Sequence, residues 1–490
     1  MKKLGLILTI LFFLVTVCIL LFFHLRGFIP YDDGWFLQGG LRLLDGERIY
    51  KDFQYLYNPA SLYVNALAFL IFGKSILASR IFALLNSLLS VGLIYWIGKK
   101  LKLNLLIIFA LIFAYVFWAP GHVNFVWPVI FCLTTALGSG IFFTKGFENK
   151  KKNLPLFLTG ALSAITFLFK QNFGLAIVIA DAFVIIFIKE FRKTKLIFWH
   201  IFGYITIITL QVLYFLFTGS FSSYLKEIYY FTVIKIYQQG IFNSGLPWDY
   251  PAPFLVKAMK VILYALPLLI SLFSILKIYK NKKKYLLYFP FVSLAFYGLS
   301  IRPTTDYIHL TPLIAISLIP LAIVYKDFKN LWGKYLSLSL ILVLMFFGLY
   351  SSLFRNYYRW NTPLIKENVF VNNPKVLIWT DDKNSLVINK ITQYFKTNAK
   401  NEKYTFVYDF DPVFYLILDK KNPTPYDYLH PGVTSVDIQK EIIKTLTDKK
   451  IKHILTNTDI KNNSSPLPYF IKTKYKPVYT TYEYIIWQFK

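Results

Sequence analysis

The fold of this chain is decided by a stretch near its N-terminus. The apolar run "LGLILTILFFLVTVCILLFF" (residues 4–23) is followed closely by "RGFIPYDDGWFLQGGLRLLDGERIYKDFQYLYNPA" (residues 26–60). An apolar run of about 20 residues can cross a hydrocarbon layer of about 30 Å as an α-helix. Two adjacent carboxylates, Asp32 and Asp33, lie within a few residues of that layer. Their mutual repulsion and the loss of water near lipid both oppose this placement, which therefore requires an explanation.

The rest of the chain repeats the apolar pattern. Of its 490 residues, 56% are hydrophobic, 19% are aromatic and 16% are charged, which excludes an ordinary soluble domain. Apolar stretches long enough to span a membrane recur as far as about residue 355, so the sequence predicts a polytopic α-helical membrane protein. The first run is interpreted as a retained span, because it is longer than a signal-peptide core and no small-x-small cleavage site follows. Cys18 and Cys132 both fall in predicted spans, so neither a disulfide framework nor a cysteine metal site is expected.

The net charge of +29 is concentrated in short loops between the apolar spans. Together with Lys2 and Lys3, these loops hold 21 basic residues against three acids. Such an excess marks cytoplasmic loops, so the charge predicts orientation and not a nucleic-acid partner. The basic loops are "KKLK" (99–102), "KGFENKKK" (145–152), "KEFRKTK" (189–195), "KIYKNKKK" (277–284) and "KDFKNLWGK" (326–334).

The charged loops fix the predicted topology, which has the N-terminus inside, the C-terminus outside and about eleven transmembrane helices. The predicted spans are residues 4–25, 75–97, 103–118, 126–144, 154–170, 173–188, 196–217, 258–276, 285–301, 308–325 and 335–354. The segments expected outside are residues 26–74, 119–128, about 218–257, 302–310 and everything after about 355. Segment 60–73 is too short to span alone and is expected at the outer surface or partway into the bilayer.

The composition changes sharply near the C-terminus. Short β-branched or aromatic runs such as "KVLIWT" (375–380) and "IKHILTNT" (451–458) alternate with helix-like segments such as "SVDIQKEIIKTLTDKK" (435–450). This alternation predicts a small α/β domain outside the membrane. The expected domains are therefore a transmembrane domain, residues 1–355, which includes the first external loop (26–74), and an extracytoplasmic α/β domain, residues 356–490.

Two interpretations of the paired aspartates are open from the residues alone. Gly34 is followed by "WFLQGGLRLLDG", in which Trp35, Leu37, Leu41 and Leu44 fall near helical spacing, as in a helix lying along the membrane interface. Asp32 or Asp33 could cap that helix, with the helix dipole holding the carboxylate ionised. Alternatively, the pair performs chemistry at the outer face.

The order of residues from Pro30 to Arg80 resembles the first external loop of the GT-C glycosyltransferases. More narrowly, it resembles the branch related to protein O-mannosyltransferases and bacterial lipid A aminoarabinose transferases. In that branch an Asp-Glu pair follows the first span, and a helix then leads to G-x-x-x-Y-x-D, a Tyr/Pro-rich turn, a short helix ending in Phe-Gly, and an Arg opening the second span. The matching residues are Asp32, Asp33, Gly46, Tyr50, Asp52, Tyr57, Pro59, Phe72, Gly73 and Arg80.

The match has departures and weaker extensions. Asp33 stands where the family usually has Glu, and Asn58-Pro59 replaces the common Pro-Pro, so the substrate stays open while the reaction class is implied. Two later segments extend the resemblance, the turn "FLFKQNFGLA" (167–176) and the loop "RPTTDYIHLTPL" (302–313). The external "FDPVFYLILDKKNPTPY" (410–426) is also similar to the C-terminal domains of bacterial relatives.

The resemblance implies a hexosyl- or pentosyltransferase that moves a sugar from a polyprenyl-phosphate carrier to a hydroxyl acceptor, with inversion, on the outer face of the plasma membrane. Asp32 aligns with the family's Asp and is expected to be the general base, with Asp33 as the second candidate. Two neighbouring carboxylates should also push one pKa upward. The leaving phosphate needs cations around it. The expected substrate-binding residues are Arg80, Lys170, Arg302, His309 and Tyr57.

Each of these cations has a competing explanation as an interfacial residue that snorkels toward lipid head groups. That explanation is favoured for Lys74, whereas Lys170 and Arg302 have polar neighbours in sequence. Asp181 lies about 16 Å along a helix from Lys170, too deep for an interfacial phosphate, and an interhelical hydrogen bond is expected there.

The expected partners are a polyprenyl-phosphate sugar donor, a glycan, lipid or protein acceptor, and membrane lipids. No cofactor or metal is predicted, although a divalent metal is left open because some GT-C branches use one with paired acids. Three alternatives also stay open: a lipid-linked glycan ligase or polymerase, a transporter or flippase for lipid-linked precursors, and an inactive scaffold. The short late loop (302–310) disfavours the first, and the folded C-terminal domain and the shortage of mid-span acids disfavour the second.

Overall fold

The structure is a computed structural model. The residues that it describes are 2–148, 153–192, 194–235, 254–280, 283–300, 307–355, 358, 362–408, 411–429, 434–457, 460 and 465–490.

The chain divides into two compact units, neither of which is continuous in sequence. The first, here called the helical unit, consists of Met1–His24, Ala83–Phe217 and Phe242–Leu364. The second, the loop–sheet unit, consists of Leu25–Phe82, Thr218–Ile241 and Ile365–Lys490. The predicted division differs from this one, because it assigns the first external loop to the transmembrane domain, whereas that loop groups with the C-terminal residues.

The helical unit contains a helix in every one of the eleven predicted spans. These helices are Lys2–His24, Ile76–Lys100, Leu105–Trp118, Pro128–Glu148, Asn153–Phe169, Gln171–Phe187, Thr194–Phe217, Phe254–Tyr279, Tyr288–Ser300, Tyr307–Asp327 and Leu331–Phe354. The helix Ile76–Lys100 begins in the loop–sheet unit and continues into the helical unit. Among the described residues, seven helices are long and apolar enough to cross a membrane. The protein is therefore a multi-pass membrane protein with a helical core.

Burial separates central from peripheral helices within this unit. The most apolar window of Ile308–Asp327 is 89% buried by protein, whereas that of Lys195–Phe217 is 11% buried. Both windows are strongly apolar, so the first packs among neighbouring helices, whereas the low burial of the second is that expected of a helix that faces lipid.

Glycines let two helices of this unit approach closely. A side chain at Gly160 would collide with the backbone oxygen of His200, and one at Gly203 with the backbone oxygen of Phe157. Small residues at such crossings are the usual means of helix association in lipid. Beside them, Nε2 of His200 lies 3.0 Å from Oδ2 of Asp181. The interhelical hydrogen bond expected at Asp181 is thus confirmed.

The loop–sheet unit contains two helices from the first loop, α2 (Asp32–Leu44) and α3 (Ala60–Phe72), numbered after α1 (Lys2–His24). Its strands are β1 (Val369–Phe370), β2 (Trp379–Thr380), β3 (Phe406–Val407), β4 (His453–Asn457), β5 (Tyr475–Thr481) and β6 (Tyr484–Phe489). They form an antiparallel β1–β2 pair and a sheet of order β3-β4-β6-β5, in which β3 and β4 are parallel and the other pairs antiparallel. The remaining helices are Phe221–Leu225, Asp382–Asn398, Val413–Leu418, Val436–Asp448 and Pro466–Lys474, with a π-helix at Lys226–Lys235.

The predicted α/β region is therefore present, but it shares its core with the first loop. Leu37 of α2 and Phe69 of α3 belong to the same buried cluster as Ile378, Ile391 and Ile486. Backbone hydrogen bonds join the same parts of the chain, from Gly27 N to Trp379 O (2.9 Å) and from Ile76 N to Lys375 O (2.9 Å). Burial of this apolar surface drives the two segments together. Composition alone cannot show such pairing across more than 300 residues.

Candidate functional site

The paired aspartates occupy the first turn of helix α2, where the second of them forms a buried ion pair. Oδ2 of Asp33 accepts a hydrogen bond from Nη2 of Arg80 at 2.8 Å, and the same nitrogen donates to the Gly27 carbonyl at 3.0 Å. The side chains are 2% and 0% exposed, respectively. Asp32, beside them, is 7% exposed. The first loop thus holds two acids and one arginine in a nearly water-free environment.

Helix capping does not explain these acids. The N-cap residue of α2 is Tyr31, and no side chain caps the helix there. Asp32 and Asp33 are instead the first two helical residues, where the positive end of the helix dipole favours a negative charge. The helix itself is confirmed, and ten of its 13 residues are buried within the protein.

Burial is the main influence on the pKa of the Asp33 carboxyl. Removal from water raises the pKa of its carboxyl, and the opposing charge and hydrogen bond of Arg80 do not cancel this rise. The negative charge of Asp32 adds a smaller increase. The expected upward shift in one carboxylate is thus found at Asp33, with burial rather than repulsion as its main cause.

Close glycine contacts fix the position of α2. A Cβ atom at Gly34 would lie 2.5 Å from the backbone nitrogen of Val413, and one at Gly40 would lie 2.8 Å from Cβ of Asn65 in α3. The Val413 nitrogen also donates to the Pro30 carbonyl at 3.3 Å. The helix therefore packs tightly against both α3 and the helix Val413–Leu418.

Arg42, near the end of α2, is an organising residue that the sequence analysis missed. Its Nη1 donates to Glu47 at 2.6 Å, its Nε lies 2.7 Å from Oδ2 of Asp427, and its Nη2 donates to the Thr424 carbonyl at 2.5 Å. Arg42 is 4% exposed. The only local signal was a charge amid the leucines of "LRLL", which is equally typical of an exposed helical position.

In the turn that carries the G-x-x-x-Y-x-D motif, two residues have an unusual backbone conformation with positive φ. Gly46 has φ +84° just after α2, a conformation that favours glycine. Tyr50 has φ +66°, which is uncommon for a large side chain, and its hydroxyl donates to the Tyr57 carbonyl at 2.6 Å. Asp52 pairs with Arg48 at 3.0 Å. The motif residues thus shape the loop that presents Tyr57.

Tyr57 belongs to an aromatic cluster that adjoins the acids in sequence. Its ring centre lies 5.5 Å from that of Trp35 and 6.0 Å from that of Tyr55. Trp35 also stacks on Tyr428 with a centroid separation of 4.5 Å. Tyr57 and Tyr428 are partly exposed, whereas Trp35 is buried.

Two of the predicted phosphate-binding residues lie close to the same tryptophan ring in the helical unit. The Lys170 ammonium lies 5.4 Å from the ring centre of Trp127, and the same ring lies 5.8 Å from that of His309. Lys170 is the extended N-cap residue of the helix Gln171–Phe187 and is 6% exposed. The cation over the indole face is an energetically favourable arrangement. Arg302, which was also predicted to bind the phosphate, lies outside the described residues.

Other charged and polar side chains pair with residues of the protein itself. Lys74 lies 3.7 Å from Asp45 and is substantially exposed. His122 is fully buried, with Nε2 2.7 Å from the Ser351 hydroxyl. Asp381 caps the helix Asp382–Asn398 by accepting a hydrogen bond from the Asn384 amide at 2.7 Å. Within the described part of the chain, no group of three or more His, Cys, Asp or Glu side chains could hold a metal ion.

Comparisons with solved structures show what this chain is similar to. ArnT from Cupriavidus metallidurans bound to undecaprenyl phosphate is 11% identical, with a TM-score of 0.65 over 98% of this chain and 97% of that one. The chain has the GT-C fold of ArnT. The apo form of the same ArnT gives a TM-score of 0.50 at 11% identity, over 99% and 98% of the two chains. The GT-C resemblance inferred from the first loop is thus confirmed for the fold.

A third solved structure is less similar to this chain. The oligosaccharyltransferase of Archaeoglobus fulgidus is 10% identical, with a TM-score of 0.45 over 95% of this chain and 71% of that one. No protein-family model matches the sequence, and no curated protein matches it.

Proposed function

We propose that this protein is a glycosyltransferase that moves a sugar from a polyprenyl phosphate to a hydroxyl acceptor at the outer face of the plasma membrane. The observation that carries the proposal is the buried Asp33–Arg80 ion pair beside Asp32, in a chain with the GT-C fold. Its similarity to an ArnT structure bound to undecaprenyl phosphate supports a lipid-phosphate donor.

In the proposed reaction the acceptor oxygen attacks the anomeric carbon from the face opposite the phosphate, which inverts the configuration. The Asp32 carboxylate takes the acceptor's proton as the new C–O bond forms, a contribution of about 10²–10⁴-fold in rate. The old C–O bond breaks toward phosphate, so the electron pair leaves with the polyprenyl phosphate. Atoms and charge balance without an oxidant or another reactant.

Asp33 and Arg80 are proposed as positioning residues, although Arg80 was expected to bind substrate. Arg80 has no exposed surface, and one of its nitrogens already serves Asp33 and the Gly27 carbonyl. The pair holds the first turn of α2, so it fixes the direction in which Asp32 points. Asp32 remains the proposed base because it is the more exposed acid.

Lys170 and His309 are proposed to stabilise the departing phosphate, together with Arg302. A preorganised cation in a dry setting stabilises developing negative charge far better than one in water. Trp127 holds the Lys170 ammonium against its ring face, which limits the movement of that cation. Tyr57, partly exposed in the aromatic cluster, is proposed to contact the sugar or acceptor.

The same proposal includes the membrane arrangement. All eleven helices of the predicted spans cross the membrane, the basic loops face the cytoplasm, and the C-terminal residues lie outside. This orientation follows the positive-inside rule applied to the lysine-rich loops.

The decisive experiment measures donor consumption by the purified full-length protein in liposomes. Undecaprenyl-phosphate sugars are supplied with membranes of a deletion strain as acceptor source, and released undecaprenyl phosphate is quantified by mass spectrometry. The wild type should release it, and Asp32→Asn should do so about 10²–10⁴ times more slowly. Asp419→Asn, on a 77% exposed side chain, should behave as wild type.

Equal turnover by Asp32→Asn would remove that residue from the chemistry. Movement of intact donor across the liposome membrane, without release of undecaprenyl phosphate, would favour the transporter or flippase. Extension of a lipid-linked glycan, with the donor as a growing chain, would favour the ligase or polymerase.

A further inference from the structure

A cavity lies at the lysine-rich ends of several helices in the helical unit. The cavity has a volume of about 500 Å³ and is formed by the ends of Ile76–Lys100, Pro128–Glu148 and Tyr307–Asp327, with the turn Lys284–Leu287. This volume is within the range of small-ligand sites. None of its lining residues takes part in the proposed transfer reaction.

The rim of the cavity carries an excess of positive charge. Five lysines and two acids line it: Lys100, Lys102, Lys283, Lys326 and Lys329, with Glu148 and Asp327. Glu148 pairs with Lys100 at 2.5 Å. No ion pair to Lys102, Lys283, Lys326 or Lys329 is found among the described residues. Several like charges around one concave space repel each other, and a bound anion would relieve that repulsion.

The inner wall of the cavity is apolar. Ile97, Leu286, Phe289 and Ile323 line it and are buried, and Thr144 adds one buried hydroxyl. A small hydrated anion would gain little from such a wall, whereas a ligand with both a phosphate and a hydrocarbon part would contact the lysines and the apolar residues together. The lining therefore favours an amphiphilic anion.

We propose that this cavity binds the head group of an anionic phospholipid, a phosphate diester with attached acyl chains such as phosphatidylglycerol. Lys102, Lys326 and Lys329 attract the phosphate, and the apolar wall receives the part of the lipid next to it. Basic pockets between transmembrane helices on the cytoplasmic side are a recognised means of holding anionic lipids. The site is separate from the proposed chemistry, so its occupancy is testable without any knowledge of the transferred sugar.

Two exposed lysines that do not line the cavity provide a control for the lysines that do. Lys99 neighbours Lys100 at the end of the same helix and is exposed, but it does not line the cavity. Lys280 is likewise exposed and outside the lining. If general attraction to a charged membrane surface were the only effect, the loss of lipid binding would depend only on the number of lysines removed.

The test uses the full-length protein purified in detergent and native mass spectrometry with phosphatidylglycerol, phosphatidylcholine of equal chain length, and inorganic phosphate. The wild type should retain phosphatidylglycerol in preference to phosphatidylcholine. The triple variant Lys102→Gln, Lys326→Gln, Lys329→Gln should lose this preference by about tenfold or more. The control Lys99→Gln, Lys280→Gln should keep it.

Three results would overturn the proposal. The first is equal retention of the two lipids by the wild type. The second is an equal loss of preference per lysine removed in the triple variant and in the control. The third is displacement of the lipid by inorganic phosphate at equal concentration, which would assign the cavity to a free anion. Melting curves of all variants confirm that the fold is retained. For a triple variant that does not fold, the single variant Lys326→Gln is measured under the same criteria.

Discussion

Nη2 of Arg80 lies 2.8 Å from Oδ2 of Asp33, and both side chains are almost completely withdrawn from solvent. Asp33 lies in the first turn of α2, and Arg80 lies in the helix that follows α3 in the sequence. Their contact therefore joins the start of the first loop to the helix after it. Removing one partner of such a pair leaves a buried charge without compensation, which is far more costly than replacing both.

Arg80→Met should therefore destabilise the protein strongly. The loss of the compensating charge is expected to cost about 3–5 kcal/mol, limited by the ability of Asp33 to bind a proton. Thermal unfolding in detergent measures the effect. The double variant Asp33→Leu, Arg80→Met should recover part of the loss, and a double variant less stable than Arg80→Met would contradict a buried charge as the cause.

The raised pKa of Asp33 gives a pH dependence of stability with a definite sign. Because the folded pKa is above the unfolded value of about 3.9, the favourable contribution is complete below that value and is lost as pH rises through the folded pKa. Asp33→Asn removes this dependence. The melting temperature of the variant minus that of the wild type should increase between about pH 4 and 8. Asp419→Asn should show no such trend, and a falling difference for Asp33→Asn would disprove the direction of the shift.

Lys170→Met should slow sugar transfer without a comparable loss of stability, because it removes a cation proposed to meet the leaving phosphate. A loss of one such contact typically costs about 10²–10³-fold in turnover. Lys170→Arg should retain more activity, since it keeps the charge over Trp127. Lys74→Met, at a substantially exposed lysine, serves as control, and the measurement is release of undecaprenyl phosphate. Wild-type turnover in Lys170→Met would exclude its role.

Gly34→Ala should weaken the docking of helix α2, because the added methyl group meets the backbone of Val413. Overpacking of this kind costs about 1–3 kcal/mol, and turnover should fall as Asp32 moves with the helix. Gly92→Ala is the matched control, since no atom lies within 4 Å of a Cβ there. Unfolding temperature and turnover are measured on both variants. An equal loss of stability and turnover in the two variants would contradict the contact with Val413 as the cause.

Much of the architecture follows from local sequence. Each predicted span contains a helix because a long apolar run bounded by charges has few other stable states in lipid. The interhelical hydrogen bond of Asp181 was likewise expected from its position. These features depend on neighbours within one or two helices.

The parts that could not be predicted depend on contacts distant in sequence. Arg42 contacts Asp427, and Arg80 contacts Asp33. The residues next to a charged side chain in the sequence do not identify its partner. Snorkelling, ligand binding and ion pairing therefore give the same sequence pattern. The joint core of the first loop and the C-terminal strands was hidden for the same reason.

That joint core has a consequence for how the protein is made. Asp33 leaves the ribosome about 450 residues before strand β6, yet both belong to the same unit. At about 5–20 residues per second, about 20 to 90 seconds pass before the partner strands of the loop have been made. A chain interrupted before its last strands would insert its helices but leave the acids without their enclosure. The loop–sheet unit can therefore be completed only after nearly the whole chain has been translated.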